Sequence, residues 1–146
     1  MAEFSANAVQ TVNPGETIVF TENPVPCNRG LVRHRGGTGN FLLSGTRSTC
    51  CPCKRSANYF VDFGANIAVP TGETVGAISV AFTVDGATVP ATQMEVTPAA
   101  VEEYFNVSRA ANVSIWTGCC ESFAIRNTSA IPILVENANV VFSYKG

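Results

Sequence analysis

The residues richest in chemistry are six cysteines: Cys27 alone, Cys50, Cys51 and Cys53 together, and the vicinal pair Cys119-Cys120. Cys50 and Cys53 have the Cys-x-x-Cys spacing of half a zinc site, with Cys51 between them. A zinc ribbon needs a second such pair, and two adjacent cysteines are a poor chelate. A redox Cys-x-x-Cys opens a helix in a strand–helix–strand unit, and no such unit surrounds this one. All six therefore read as disulfide candidates or quiet thiols. Zinc on thiolates of Cys27, Cys50, Cys51 and Cys53 is the alternative, and no other cofactor is expected. Synthesis in a cytoplasm keeps thiols reduced at first, so any disulfide forms after release.

The remaining catalytic residue types do not converge. His34 is the only histidine, flanked by Arg33 and Arg35 and followed by glycines. A hydrolytic triad on an α/β scaffold would show a Gly-x-Ser-x-Gly elbow, which is missing, so a strand-surface position is the plainer reading. Glu102 and Glu103 are adjacent on an expected helical turn, where they diverge instead of pairing as acid and base. Trp116 suits a sugar-stacking platform, but a lone Trp at a strand end suits core or interface better. Asn106, Asn112 and Asn127 each begin an Asn-x-Ser/Thr triplet, a pattern without consequence if the chain is never secreted. No catalytic residue is assigned, and the chain is expected not to be an enzyme.

Composition narrows the partners. Charged residues make up 14% and apolar residues 46%, against a usual charged share of about a quarter. So little charge on a monomer leaves a sticky surface, which suggests that part of it is subunit interface. A net charge of −2 argues against nucleic acid. No apolar run reaches the roughly 18 residues of a membrane span. The N-terminus lacks the basic and apolar regions of a signal peptide, so the expectation is cytoplasmic synthesis and exit inside a particle or by lysis. The 146 residues are long enough for one domain, 1–146, with its own core. Arg29, Arg33, Arg35, Arg47, Lys54 and Arg55 fall early, whereas acids dominate from Asp62 to Glu103, which hints at a partner surface of opposite sign.

The elements that must position these residues are strands. From Tyr59 to Val69 the apolar residues Tyr59, Val61, Phe63, Ala65, Ile67 and Val69 alternate with Phe60, Asp62, Gly64, Asn66 and Ala68. Period 2 puts the first set on one face of an extended strand. Pro70-Thr71-Gly72 closes it, and a second strand over 75–84 ends in Asp85-Gly86, a tight hairpin signal. Further strands are expected over 8–12, 16–21, 31–35, 40–44, 112–117, 121–127, 131–135 and 138–144, with irregular backbone over 23–30. Residues 97–104 form the one expected helix, with Thr97 as cap and Pro98 at its first position. About ten short strands with one short helix near 98–104 make an all-β sandwich or jelly roll. Phe63, Phe82, Ile115 and Phe142 are expected inside.

Tyr59-Phe60-Val61-Asp62-Phe63, the strand ending Val84-Asp85-Gly86, Ile115-Trp116-Thr117-Gly118 and the last strand through Tyr144 together resemble the tumour-necrosis-factor-like and complement-globular-head jelly rolls. Pro14-Gly15 with Ile18-Val19-Phe20 is similar to the opening hairpin of that family. Residues 70–76 and 97–108 resemble its bacterial and phage branch, the C-terminal domains of collagen-like spore-surface glycoproteins and stand-alone structural proteins of phages of Firmicutes. The chain has Gly118-Cys119-Cys120 where the family often has Gly-Asp, so a cation role of that Asp is not carried over. The resemblance implies a jelly-roll homotrimer without catalytic activity. It points to a phage virion component, such as a capsid decoration protein or head fibre, with a capsid or other lattice protein as partner. A spore- or cell-surface structural protein, or a trimeric carbohydrate- or ligand-binding module with an unknown ligand site, is the alternative.

Counting strand directions places the cysteines. Successive strands reverse, so Cys27 and the 45–56 loop fall at one end of the sandwich. Cys119-Cys120 fall at the other, roughly 25–30 Å away for strands of this length. On that count Cys27 reaches the Cys50–Cys53 loop, and Cys119-Cys120 stay free or meet a neighbouring subunit. One extra short strand between residues 85 and 112 would reverse the placement.

Overall fold

In the computed structural model, which describes residues 1–26, 31–45, 56–116 and 120–145, two antiparallel sheets face each other as a jelly-roll sandwich. The described strands are β1 (Ala2–Ala6), β2 (Gln10–Val12), β3 (Glu22–Val25), β4 (Val32–His34), β5 (Phe41–Leu43) and β6 (Ser56–Ala68). They continue with β7 (Ile78–Val84), β8 (Ala87–Thr88), β9 (Met94–Val96), β10 (Phe105–Trp116), β11 (Glu121–Asn127) and β12 (Ile133–Tyr144). One sheet runs β10-β6-β12-β1-β3, with β2 also on β12; the other runs β4-β5-β11-β7-β8, with β9 also on β7. The first holds the long strands, of 13 residues in β6 and 12 in β10 and β12.

The alternation in β6 is realised as read. Tyr59, Val61, Phe63, Ala65, Ile67 and Val69 are buried, while Phe60, Asp62, Gly64 and Asn66 face outward. The expected core residues Phe63, Phe82, Ile115 and Phe142 are each at most 1% exposed. Aromatic rings link the sheets in sequence. Phe4 meets Phe41 at 4.8 Å between centroids, Phe41 meets Phe142 at 4.9 Å, and Phe123 touches Phe142 at 5.3 Å and Phe82 at 5.2 Å. Such tilted and edge-on pairs add about 0.5–1.5 kcal/mol each beyond the area they bury.

Several elements differ from the sequence reading. Residues 97–104 form no helix: Glu102 has φ of 56° and donates its N–H to the Val69 carbonyl at 2.7 Å. Ala99, Ala100, Val101, Glu102 and Glu103 are all exposed. A segment this short, with no apolar face to pack, cannot offset the cost of nucleating a helix. Strand β1 was hidden by its small residues, yet Ala2, Phe4 and Ala6 are buried and pair along β12. Pro24 sits within β3, an edge strand, where a missing N–H is tolerated. The 16–21 stretch contributes a single bridge, Thr17 to Arg126.

The decisive difference is the return pass after Asp85-Gly86. Asp85 and Gly86 adopt φ of 53° and 82°, the left-handed pair that a two-residue hairpin requires. The chain then runs back along β7, with Thr88 opposite Thr83 and Met94 opposite Val80. Between them a 3-10 turn, Pro90–Thr92, interrupts the ladder. Thr92 repairs it: its Oγ1 accepts the Phe82 N–H at 3.0 Å and donates to the Val89 carbonyl at 2.7 Å. This pass is the extra strand on which the cysteine count depends, so the chain arrives at β10 from the opposite direction.

Candidate functional site

The described residues that flank the cysteine segments fall at one end of the sandwich, Ser44 and Cys120 next to the Leu43–Glu121 pair and Ser56 beside Trp116, so Cys120 is not at the end opposite Ser44, which corrects the expectation for that residue. Leu43 of β5 lies between Val32 of β4 and Glu121 of β11, and on the long-stranded sheet Ser56 of β6 pairs with Trp116 of β10. The Ser44 N–H donates to the Leu31 carbonyl at 2.9 Å. Tyr59, fully buried, donates its hydroxyl to the Ser44 carbonyl at 2.6 Å and thereby ties the two sheets together.

Cys120 is disulfide-bonded within the chain, and its sulfur lies 3.8 Å from Nη2 of Arg33. The expectation that Cys120 stays free or bonds another subunit is overturned by that bond. Cys27, Cys50, Cys51, Cys53 and Cys119 lie outside the described residues, as do Arg29, Arg47, Lys54, Arg55 and the side chain of Trp116. Among the described residues no three His, Cys, Asp or Glu side chains converge as a metal-binding group.

His34 is not on the strand surface. It faces inward, half-buried, with its ring stacked on Phe41 at 4.7 Å and tilted against Phe4 at 5.1 Å. Its Nε2 donates to the Thr38 carbonyl at 2.8 Å, so its polar edge is used in holding the 35–40 turn. Gly39 in that turn leaves room for the passing chain, because a Cβ there would strike the Ile18 carbonyl oxygen. Glu102 and Glu103 are exposed, as read. Tyr104, not a site candidate from its sequence context, has its phenol pushed above the ordinary value by burial, then by the charges of Glu136 and Glu102.

The two outer faces differ in size and sign. On the long-stranded sheet, Asn58, Phe60, Asp62, Gly64 and Asn66 of β6 stand beside Ser114, Asn112, Ala110, Ser108 and Asn106 of β10. On the other side of β6 stand Ser143, Val141, Asn139 and Glu136 of β12. Polar side chains there bond sideways: Asn106 to Asn66 at 3.1 Å, Ser114 to Asn58 at 2.6 Å, and Asn139 to Glu3 at 2.7 Å. The face has small residues around Phe60 and Val141, and Glu3, Asp62 and Glu136 make its middle negative, with Lys145 at its end beside Asn58. The outer face of the short-stranded sheet instead bears Arg33, Arg35 and Arg126, with Glu95 on β9. A shallow hollow of about 250 Å³ lies there between Arg35, Asn40, Leu42 and Ser122.

This architecture defines a jelly roll of the kind seen in complement globular heads and tumour necrosis factors. The globular domain of zebrafish complement 1qA matches with a TM-score of 0.61 at 12% identity, over 99% of this chain and 98% of that one. The Eiger TNF of S. frugiperda matches with a TM-score of 0.69 at 12% identity, over 99% of this chain and 91% of that one. At this identity the likeness is one of fold. No family model matches the chain, and no curated protein matches it in sequence.

Proposed function

We propose that this chain is a non-enzymatic structural module that assembles as a homotrimer through the outer face of its long-stranded sheet. The observation that carries the reading is Gly64. It sits in the middle of β6, between Ser108 and Asn139, and faces outward where a Cβ would meet nothing within 4 Å. Glycine inside a strand weakens it and is retained where another backbone or ligand approaches closely. Around it the face is low in charge and has Phe60 among small polar residues, which suits burial against a copy of the chain. An obligate interface of this kind buries upwards of about 2,000 Å² in total.

The resemblance of residues 70–76 and 97–108 supports a virion setting, with the trimer capping or cementing a capsid lattice. Mass spectrometry of purified particles tests that setting separately. The trimer itself is tested with Gly64→Gln. Light scattering should report a trimer for the parent protein and a monomer for the variant, whose melting temperature as a monomer is not lowered by a clash. A monomeric parent at micromolar concentration, or a Gly64→Gln protein that remains trimeric, removes this reading.

A further inference from the structure

We propose that the hollow on the outer face of the short-stranded sheet binds an acidic sugar, a carboxylate-bearing residue of an anionic glycan. Arg35, Asn40, Leu42 and Ser122 line about 250 Å³ of space there. The strand registers bring the four together. Leu42 of β5 stands between Arg33 of β4 and Ser122 of β11, and the Arg35 N–H donates to the Asn40 carbonyl at 3.2 Å. Phe41 and Leu43 are buried in the core, so period 2 turns Asn40 and Leu42 outward, on the side that Arg35 shares. The outward residues of β11, Ser122 and Ala124, are small and leave the gap that the larger side chains surround.

The polar groups of the hollow are unspent. Arg35, Asn40 and Ser122 enter the described hydrogen bonds through their backbones, and their side chains have no partner among the described residues. No carboxylate is among the lining residues, so the Arg35 charge meets no counter-ion there. The planar guanidinium fork matches a carboxylate with two parallel N–H···O bonds. Asn40 and Ser122 each offer a donor and an acceptor, which is what ring hydroxyls require. Leu42, 41% exposed, supplies an apolar plate for the C–H face of the ring. A phosphate would leave that plate idle and would call for more donors than one arginine brings.

The space is below the roughly 300–1,000 Å³ of sites for drug-sized molecules, so a single ring sits in it and the rest of the glycan runs over the face. Along β11 that face carries Arg126, whose Nε is buried without an acceptor among the described residues. Its positive sign draws an anionic chain to this side of the sandwich. Arg33 has its Nη2 3.8 Å from the Cys120 sulfur and is not assigned to the site. Assembly through the long-stranded sheet leaves this face outward, so the site does not depend on the trimer.

Calorimetry tests the site with three probes that carry the carboxylate on different rings: oligogalacturonate, oligomannuronate and sialyllactose. At least one should bind saturably at physiological salt. Its methyl ester, neutral with the same hydroxyls, should bind about tenfold more weakly or worse, the scale of one charged hydrogen bond. Arg35→Gln should weaken binding by a similar factor, and Arg35→Lys should also weaken it, since lysine keeps the charge and loses the fork. Asn40→Ala should cost about two- to tenfold. Arg35 and Asn40 are exposed, so the melting temperature should stay at the parent value in all three variants. Failure of all three acids to bind, an ester that binds as well as its acid, or undiminished affinity in Arg35→Lys overturns the proposal. Tripolyphosphate binding as tightly as the acidic sugar also overturns it, by making the face a general anion surface.

Discussion

At the end of the sandwich where β7 begins, one buried side chain holds the turns. Asn127 is 1% exposed; its Nδ2 donates to the carbonyls of Val12 at 2.9 Å and Ile131 at 3.0 Å, and its Oδ1 accepts the Ser129 N–H at 2.8 Å. Ser79 extends the network, donating its N–H to the Ser129 hydroxyl oxygen and sharing a hydroxyl bond of 2.7 Å with Thr128. At the opposite end the described polar closure is slighter: the Tyr59 hydroxyl on the Ser44 carbonyl, beside a disulfide at Cys120. The first end is complete as soon as the chain folds. The second is completed by oxidation, so its strength depends on the medium.

Asn127→Ala offers the largest effect and the sharpest contrast. It strips three hydrogen bonds from a dry site and leaves two carbonyls and an N–H unmet, at about 1–3 kcal/mol each. A loss of about 4 kcal/mol is expected in denaturant titration, equal with and without reductant because the disulfide is at the other end. Reductant added to the parent protein should remove about 2–4 kcal/mol by itself. The two losses should add, since distant sites are independent. A marked departure from additivity would mean that the ends are not separately closed.

Tyr59→Phe probes the cysteine end with a smaller change. It keeps the ring, which packs against Tyr144 at 5.4 Å, and deletes only the hydroxyl over Ser44. The expected cost is about 1–2 kcal/mol. That loss should be larger in reduced protein than in oxidised protein, where the disulfide keeps the crossings in place. An equal cost in both states would show that the hydroxyl and the disulfide hold different things.

The comparison also explains what the sequence made legible. Strict alternation from Tyr59 to Val69 and the Asp85-Gly86 turn were readable because burial on one face and a left-handed pair each leave a residue-level mark. Strand β1 leaves almost none, since Ala2, Ser5 and Ala6 have little intrinsic strand preference and are held by β12. The return pass over residues 87–96 is broken by Pro90 into two stubs of two and three residues, too short to show a period. Missing it inverted the expected placement of Cys120, one error carried through a parity count. Asn127 was visible only as a glycosylation triplet. The better signal was an Asn closing an apolar strand before Thr128-Ser129, where its side chain can bond its own backbone two residues on. The histidine was misplaced for a similar reason: Arg33 and Arg35 describe one face of β4, and His34 belongs to the other.

The smallest expected effect is a titration at the end opposite the cysteines. Tyr104 precedes β10, half-buried, with its phenol raised above the ordinary value of about 10 by burial first, then by Glu136 and Glu102. A raised folded value means that the folded state holds the proton more tightly than the unfolded chain does. The associated stability is complete below about pH 10 and is lost as the pH rises from there through the folded value. The phenolate absorbance of the parent protein minus that of Tyr104→Phe should isolate one step above the ordinary value. Glu136→Gln should move the step down but not wholly back, because burial is the larger cause and survives the substitution. A step at or below the ordinary value would place the phenol in open water and detach it from the end that Asn127 closes.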